Sequence, residues 1–318
     1  MTSERGIGIG VKLGGLELAS PVVVASGTYG WGTEFEAIEA FRSDAIGAIV
    51  LKGTTLSARE GNRTPRIVET AGGAGILNAI GLQNPGAEAV VETYLPKLKG
   101  FKQKIIANVA GESAAEYAAV TRVLSAHARI DAVEVNVSCP NVKRGGMQFG
   151  ADARACGEVV RACREATEKP LLVKLTPNVT DIRIGARAAV DAGADALTVA
   201  NTVLGTAVDI HTRRPILGNV SGGLSGPAIM PIALQKVLEV VRYLKEEGLS
   251  TPVIASGGIL TAEDALAFLI TGASAFALGT ALFADFRAPE RVLDGIRAYL
   301  AGQDVKDISE IVGTLEVP

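Results

Sequence analysis

One rhythm constrains this chain more than any other feature: short apolar runs alternate with amphipathic ones from end to end. The apolar runs are Pro21–Ala25, Ala48–Leu51, Ile105–Val109, the head of Val133–Asn141, Leu171–Leu175, Ala196–Ala200, Val253–Ala255 and Ala275–Leu278. They are rich in β-branched residues and apolar on both faces, as strands of a fully buried parallel sheet are. Between them the spacing predicts helices. One covers Thr33–Phe41. A second opens at Asn84-Pro85 and places Ala87, Val90, Val91, Tyr94, Leu95 and Leu98 on one face. A third is led by the capping pattern Ser113-Ala-Ala-Glu116. The others cover Asp152–Thr167, a stretch ending at Ala192-Gly193, Ala228–Glu247, a helix started by Thr261-Ala-Glu-Asp264, and Pro289–Leu300. Eight strand–helix units in 318 residues predict an α/β fold, a (β/α)8 TIM barrel spanning 1–318 as a single domain. A doubly wound sheet is the alternative, but no Gly-x-Gly-x-x-Gly turn follows the first strand.

Some segments lie outside that rhythm. Ile7–Val11 and Leu16–Leu18, joined across Gly14-Gly15, predict a small hairpin before the core. Ser57–Asn78 is too long for a turn; Arg66–Glu69 and Gly75–Leu77 are expected to pair and deliver Asn78. Val203–Ser225 reads as a second long loop at the C-terminal mouth. Thirty-seven glycines suit many tight strand–helix turns. A net charge of −3 gives no reason to expect nucleic acid or an anionic membrane as partner. No apolar run approaches the roughly 18 residues of a membrane span, and the start lacks a signal peptide's apolar segment, so a soluble cytoplasmic protein is expected.

Three cysteines, Cys139, Cys156 and Cys163, form no disulfide framework. Cys156 and Cys163 lie seven apart in a helical pattern and should share a buried face. With no Cys-x-x-Cys pair, the chain should carry no iron–sulfur cluster of its own. His127 and His211 have no neighbours at metal-ligand spacing, so no metal is expected.

The stretch Val133–Asn141 is a strand that stops at Pro140 and presents Asn136, Ser138, Cys139 and Asn141 at its end. A barrel gathers all such ends at one mouth. There the sequence places Ser26, Lys52, Asn108, Asn136, Cys139, Asn141, Lys174, Asn201, Thr202, Gly257-Gly258 and Gly279-Thr280, with Asn78 on the excursion; this set includes no carboxylate. Each lysine interrupts an apolar strand, which is costly unless it meets an anion or a cofactor. Glycine pairs after the seventh and eighth strands are the usual barrel position for a phosphate. Asparagine amides both donate and accept, which suits a flat ligand edged with C=O and N–H groups, such as a pyrimidine. Cys139 has no histidine partner for nucleophilic work, so a general-base role fits it better.

These motifs resemble a known family. Asn136-Val-Ser-Cys-Pro-Asn-Val-Lys-Arg-Gly-Gly-Met-Gln-Phe-Gly150 is similar to the active-site loop of class 1 dihydroorotate dehydrogenases, the 1B subgroup in particular. Asn78-Ala-Ile-Gly-Leu-Gln-Asn84 resembles their substrate loop, and Asn201-Thr202, Gly222-Gly-Leu-Ser-Gly-Pro-Ala228 and the two glycine turns also fit. Ala207–Pro215 is close to the subgroup's pattern apart from His211. The resemblance implies a barrel that holds FMN and oxidises (S)-dihydroorotate to orotate in pyrimidine (UMP) biosynthesis. It implies that Cys139 takes the C5 proton while hydride passes from C6 to flavin N5. Lys52, Asn78, Asn136, Asn141 and Asn201 would hold orotate, helped by the backbone of Ala79, Ile80, Gly81, Leu82 and Thr202. FMN would contact Ser26, Lys52, Gly53, Asn108, Asn136, Lys174, Val199, Gly226, Gly257, Gly258, Gly279 and Thr280, with Lys174 stabilising the reduced ring. The resemblance also implies a dimer of barrels joined in a heterotetramer to an electron-transfer subunit carrying FAD and a [2Fe–2S] cluster, which passes electrons to NAD. Alternatives are a barrel like that of dihydropyrimidine dehydrogenase, although the expected histidine after Cys-Pro is Asn141 here, a Schiff-base aldolase using Lys52 or Lys174, and a scaffold with no chemistry.

Overall fold

The computed structural model describes residues 6–34, 38, 42–138 and 149–317. Eight strands run parallel: β1 Val22–Val24, β2 Ala48–Val50, β3 Lys104–Val109, β4 Ala132–Asn136, β5 Leu171–Lys174, β6 Ala196–Val199, β7 Val253–Ser256 and β8 Ala275–Leu278. Each pairs with the next, and β8 pairs with β1, so the sheet closes into a barrel. Both faces of each strand are covered, which is why the runs read as continuously apolar. Val23, Val50, Ile106, Ala132, Leu172, Ala196, Ile254 and Ala275 point inward and fill the barrel. Ile49, Ile105, Val133, Val135, Val173 and Leu197 point outward, into the layer shared with the helices. Each fully buried aliphatic side chain of this kind stabilises the fold by about 1.5–3 kcal/mol.

The helices are α1 Ala114–Ser125, α2 Ala153–Ala166, α3 Ile182–Asp191, α4 Met230–Glu246, α5 Ala262–Thr271 and α6 Ala288–Gly302. The caps predicted at Ser113 and Thr261 form, the first without its reciprocal half, since Glu116 Oε2 accepts from Glu112 N. Ser113 Oγ accepts from Glu116 N and Asp152 Oδ1 from Ala155 N. Thr261 and Asp264 make a reciprocal capping box. Cys156 and Cys163 lie fully buried on one face of α2, as their spacing predicts.

The helix predicted from Asn84-Pro85 is irregular. Its helical residues begin at Ala87 and pass through a π segment, Val90–Tyr94, into a 3-10 turn, Leu95–Leu98. Pro96 offers no N–H to the turn before it, so the α ladder cannot continue through it. Asn84 is not the cap; its side-chain oxygen accepts from Thr55 N and Gly86 N and so ties two loops together. Of the helix expected over Thr33–Phe41, Thr33 and Glu34 lie in a turn, and residues 35–37 and 39–41 lie outside the described residues. The early hairpin pairs Val11–Leu13 with Leu16–Leu18.

The excursion does pair, Ile67–Glu69 against Ile76–Asn78. The segment expected as a long loop is not all loop: Val203–Thr206 and Ser221–Ser225 are strands, and Ser221–Ser225 pairs with Ile76–Asn78. A four-stranded antiparallel sheet results. Ser-Gly-Gly-Leu-Ser has little β-propensity, so nothing local announces this strand. Its glycines serve close approach: a Cβ on Gly223 would sit 2.1 Å from Thr202 Oγ1.

Candidate active site

The barrel interior changes character along its axis. Below, it is aliphatic and alanine-filled; towards the C-terminal strand ends it turns polar, with Asn108, Glu134, Asn136, Lys174, Thr198 and Ser256 all buried. The register sets them side by side: Asn108 opposite Glu134, Asn136 opposite Lys174, and Lys174 opposite Thr198.

Glu134 corrects the expectation of a mouth without carboxylates. It is only 2% exposed and lies one inward position before Asn136 on β4. Asn108 Nδ2 donates to its Oε1 at 2.7 Å, and Thr198 Oγ1 donates to its Oε2 at 2.7 Å. The signal was available in the strand's two-residue period, which puts Glu134 and Asn136 on the same face.

A second cluster sits at the ends of β4 and β6. Asn201 Nδ2 donates to Ser138 Oγ at 2.6 Å and to Asn136 Oδ1 at 3.3 Å, and Ser138 Oγ donates to Asn136 Oδ1 at 2.9 Å. Asn201 Oδ1 accepts from Thr202 N. Tyr117, on α1, donates to the Asn136 carbonyl at 2.8 Å and fixes that strand end from outside. Asn178, not anticipated from the sequence, donates to the Thr202 carbonyl at 3.0 Å and accepts from Leu204 N. Asn78 joins through the mouth sheet: its Nδ2 donates to Gly223 O at 3.3 Å, and Gly223 packs on Thr202. Asn78, Asn136, Asn201 and Thr202 are thus brought together. Cys139 and Asn141 lie outside the described residues; Ser138, the neighbour of Cys139, belongs to the cluster.

The substrate-loop backbone is held from one side. Asn62 Nδ2 donates to Ala79 O, Asn62 N to Ile80 O, and Asn84 Nδ2 to Leu82 O. A Cβ on Gly53 would lie 3.0 Å from Asn108 Oδ1 and 3.2 Å from Leu82 Cδ2, so Lys52-Gly53, Asn108 and Leu82 meet. The Lys52 ammonium lies below the ordinary lysine pKa, through burial first and the nearby Arg66 charge second, with Glu34 pulling the other way. Ser26 Oγ donates to Leu51 O and ties the ends of β1 and β2. Val199 turns its side chain into the outer core, so only its backbone can face the mouth.

The glycine turns after β7 and β8 share one corner with Gly226. A Cβ on Gly226 would sit 3.5 Å from Thr280 Cγ2, one on Gly257 3.3 Å from Ile229, and one on Gly258 2.4 Å from Met230, the first residue of α4. Glycine backbone and the start of α4 therefore lie close together there, at the barrel position where a phosphate is usual.

Two polar groups in this mouth lack a partner of their own. Asn108 Oδ1 is buried with no hydrogen-bond donor among the described residues. Lys174 is 7% exposed, and its ammonium has no hydrogen bond or ion pair among the described residues. A buried neutral acceptor left so costs about 1–3 kcal/mol. A ligand with N–H donors and an electron-rich or anionic edge satisfies both.

The family model described as dihydroorotate dehydrogenase matches residues 9–300. The chain belongs to the dihydroorotate dehydrogenase family. A Geobacter sulfurreducens protein named dihydroorotate dehydrogenase B (NAD(+)), catalytic subunit, is 50% identical over 309 residues, covering 97% of this chain and 98% of that protein. Proteins of the same description from Trichlorobacter lovleyi and Alkaliphilus oremlandii are 49% and 48% identical, each covering 96% of this chain and 98% of the relative. Membership in the dihydroorotate dehydrogenase family replaces the aldolase and scaffold readings of the barrel.

Proposed function

We propose that this chain is the catalytic subunit of an NAD-linked dihydroorotate dehydrogenase, oxidising (S)-dihydroorotate to orotate on FMN in pyrimidine biosynthesis in the cytoplasm. The observation that carries the flavin reading is the buried Asn108 Oδ1, which has no hydrogen-bond donor among the described residues, beside Lys174, the amide cluster and the glycine corner. The residues fit the group. Gly226, Gly257, Gly258, Gly279 and Thr280 would hold its phosphate, Ser26, Lys52-Gly53, Asn108 and Lys174 its ring, and Asn136 and the Val199 backbone its edges. When bound, FMN supplies the acceptor for the hydride from C6 of the substrate.

The chain's own residues do the rest. The amides of Asn78, Asn136, Asn141 and Asn201 complement the C=O and N–H edges of the pyrimidine. Lys52 holds the substrate, assisted by the backbone of residues 79–82 and Thr202. Cys139 takes the C5 proton; an unperturbed thiol titrates near about pH 8.5, close enough to neutrality for that task. Lys174 stabilises negative charge that develops on the ring during the reaction. A partner subunit with FAD and a [2Fe–2S] cluster would supply the route to NAD, in a heterotetramer built on a dimer of barrels.

The deciding experiment is an absorbance scan of the purified chain with dihydroorotate added anaerobically. Bleaching of a bound flavin supports the reading, and a colourless protein, or a flavin that dihydroorotate leaves oxidised, overturns it. Assay of uracil beside orotate separates this reading from that of a dihydropyrimidine dehydrogenase-like barrel.

A further inference from the structure

Glu134 is a buried carboxylate that the proposed reaction does not use. Its two hydrogen bonds reach β3 on one side and β6 on the other. A carboxylate accepts hydrogen bonds and cannot donate them. Asn108 must therefore turn its NH2 towards Glu134, which forces its oxygen the other way, beside Gly53. That oxygen is buried and has no donor among the described residues. The orientation of an amide cannot be chosen by shape alone, because its N and O ends are nearly isosteric. Here the chemistry of Glu134 chooses it.

We propose that Glu134 is a positioning residue: held between Asn108 and Thr198, it locks the Asn108 amide with its oxygen presented to the mouth as an acceptor for an N–H of the bound flavin ring. The inference rests on the FMN reading above. It deepens that reading by assigning the orientation of a ring-contacting amide to a residue that itself touches no ligand. Thr198 occupies the second carboxylate oxygen and leaves the first to Asn108 alone.

The test is a double-mutant cycle read on flavin release, from the fluorescence of FMN set free when the holoenzyme is diluted. Glu134→Gln keeps the shape but, with Thr198 donating to its oxygen, turns an NH2 to Asn108 and reverses that amide. It should weaken FMN binding about three- to tenfold, the worth of one hydrogen bond, and shift the visible band of the bound flavin. In an Asn108→Ala background the same substitution should change neither quantity, since there is no amide left to orient. A merely structural role would give additive losses in both backgrounds. Thr198→Val leaves Glu134 an acceptor-only carboxylate, so wild-type FMN release and spectrum are expected, and a loss like that of Glu134→Gln overturns the orientation argument. If Glu134→Gln does not fold, Glu134→Met, which removes the acceptor, carries the same cycle. Additive effects, or a Glu134→Gln holoenzyme with unchanged release and spectrum, overturn the inference while leaving the FMN reading intact. A wild-type chain that holds no FMN overturns both.

Discussion

Gly258→Ala should damage the barrel at its glycine corner, and the structure sets the size of the damage. Gly258 has φ +80°, where a Cβ costs about 1–2 kcal/mol. The new Cβ would lie 2.4 Å from Met230 Cβ, 2.6 Å from Met230 Cα and 2.7 Å from Met230 N. Carbon atoms prefer about 3.5–4.0 Å, so the first turn of α4 must retreat by more than about 1 Å. Two of the three atoms are backbone, so no rotamer change relieves the overlap. Overpacking of this kind adds about 1–3 kcal/mol, for a total of about 2–5 kcal/mol. Gly279→Ala is the internal control. Its φ is not left-handed, and its nearest neighbours would be Ala25 Cβ at 3.6 Å and Thr28 Cγ2 at 3.7 Å, ordinary contacts. Thermal unfolding followed by circular dichroism should show Gly258→Ala melting about 4–10 °C below wild type, at about 2 °C per kcal/mol for a large domain. Gly279→Ala should melt with the wild type, yet lose FMN affinity if a phosphate approaches that backbone closely. A Gly258→Ala protein as stable as wild type, or a Gly279→Ala protein equally destabilised, would refute the packing argument.

Cys139→Ala should abolish steady-state orotate formation while FMN stays bound; full turnover in that variant removes Cys139 as the base. Lys52 should hold the substrate only while protonated, and its pKa is lowered by burial and Arg66. Orotate affinity, followed by flavin difference spectra, should therefore fall on the alkaline side below the ordinary lysine value of about 10.4, and Lys52→Ala should abolish that dependence. Lys174→Ala should make flavin reduction less favourable, lowering the midpoint potential by about 30 mV for each 1.4 kcal/mol lost; an unchanged potential removes Lys174 from that role. Burial pushes the Cys156 thiol up to about 12 and the Cys163 thiol up to about 11. Both should resist thiol reagents until the chain unfolds. Above about pH 8.5 the unfolded chain loses these protons and the folded one keeps them, so stability should decline as pH rises.

Much of the site was legible because barrels bring strand ends together. Asn136, Asn201 and Lys174 could be placed at the mouth from the apolar runs they terminate. Glu134 is not legible as a site residue, because a charged residue inside an apolar run looks like an interruption until closure shows what it faces. The strand Ser221–Ser225 was read as loop because its residues disfavour strands. Only its pairing with Ile76–Asn78 makes it one. Pro96 was visible, but its effect on the preceding turn was subordinate to the regular spacing of the apolar face.

Taken alone, the sequence determined the barrel, because each strand is short, local and apolar on both faces, and only closed parallel sheet under helices buries both. It also determined which residue types stand at the strand ends, since the runs stop where polar side chains begin. Tertiary structure decided which of them act together. Asn78 reaches Thr202 through a strand pairing with Gly223, 145 residues along the chain, and Asn108, Glu134 and Thr198 meet only when strands three, four and six share one interior. Such contacts depend on closure and register, which no local pattern encodes.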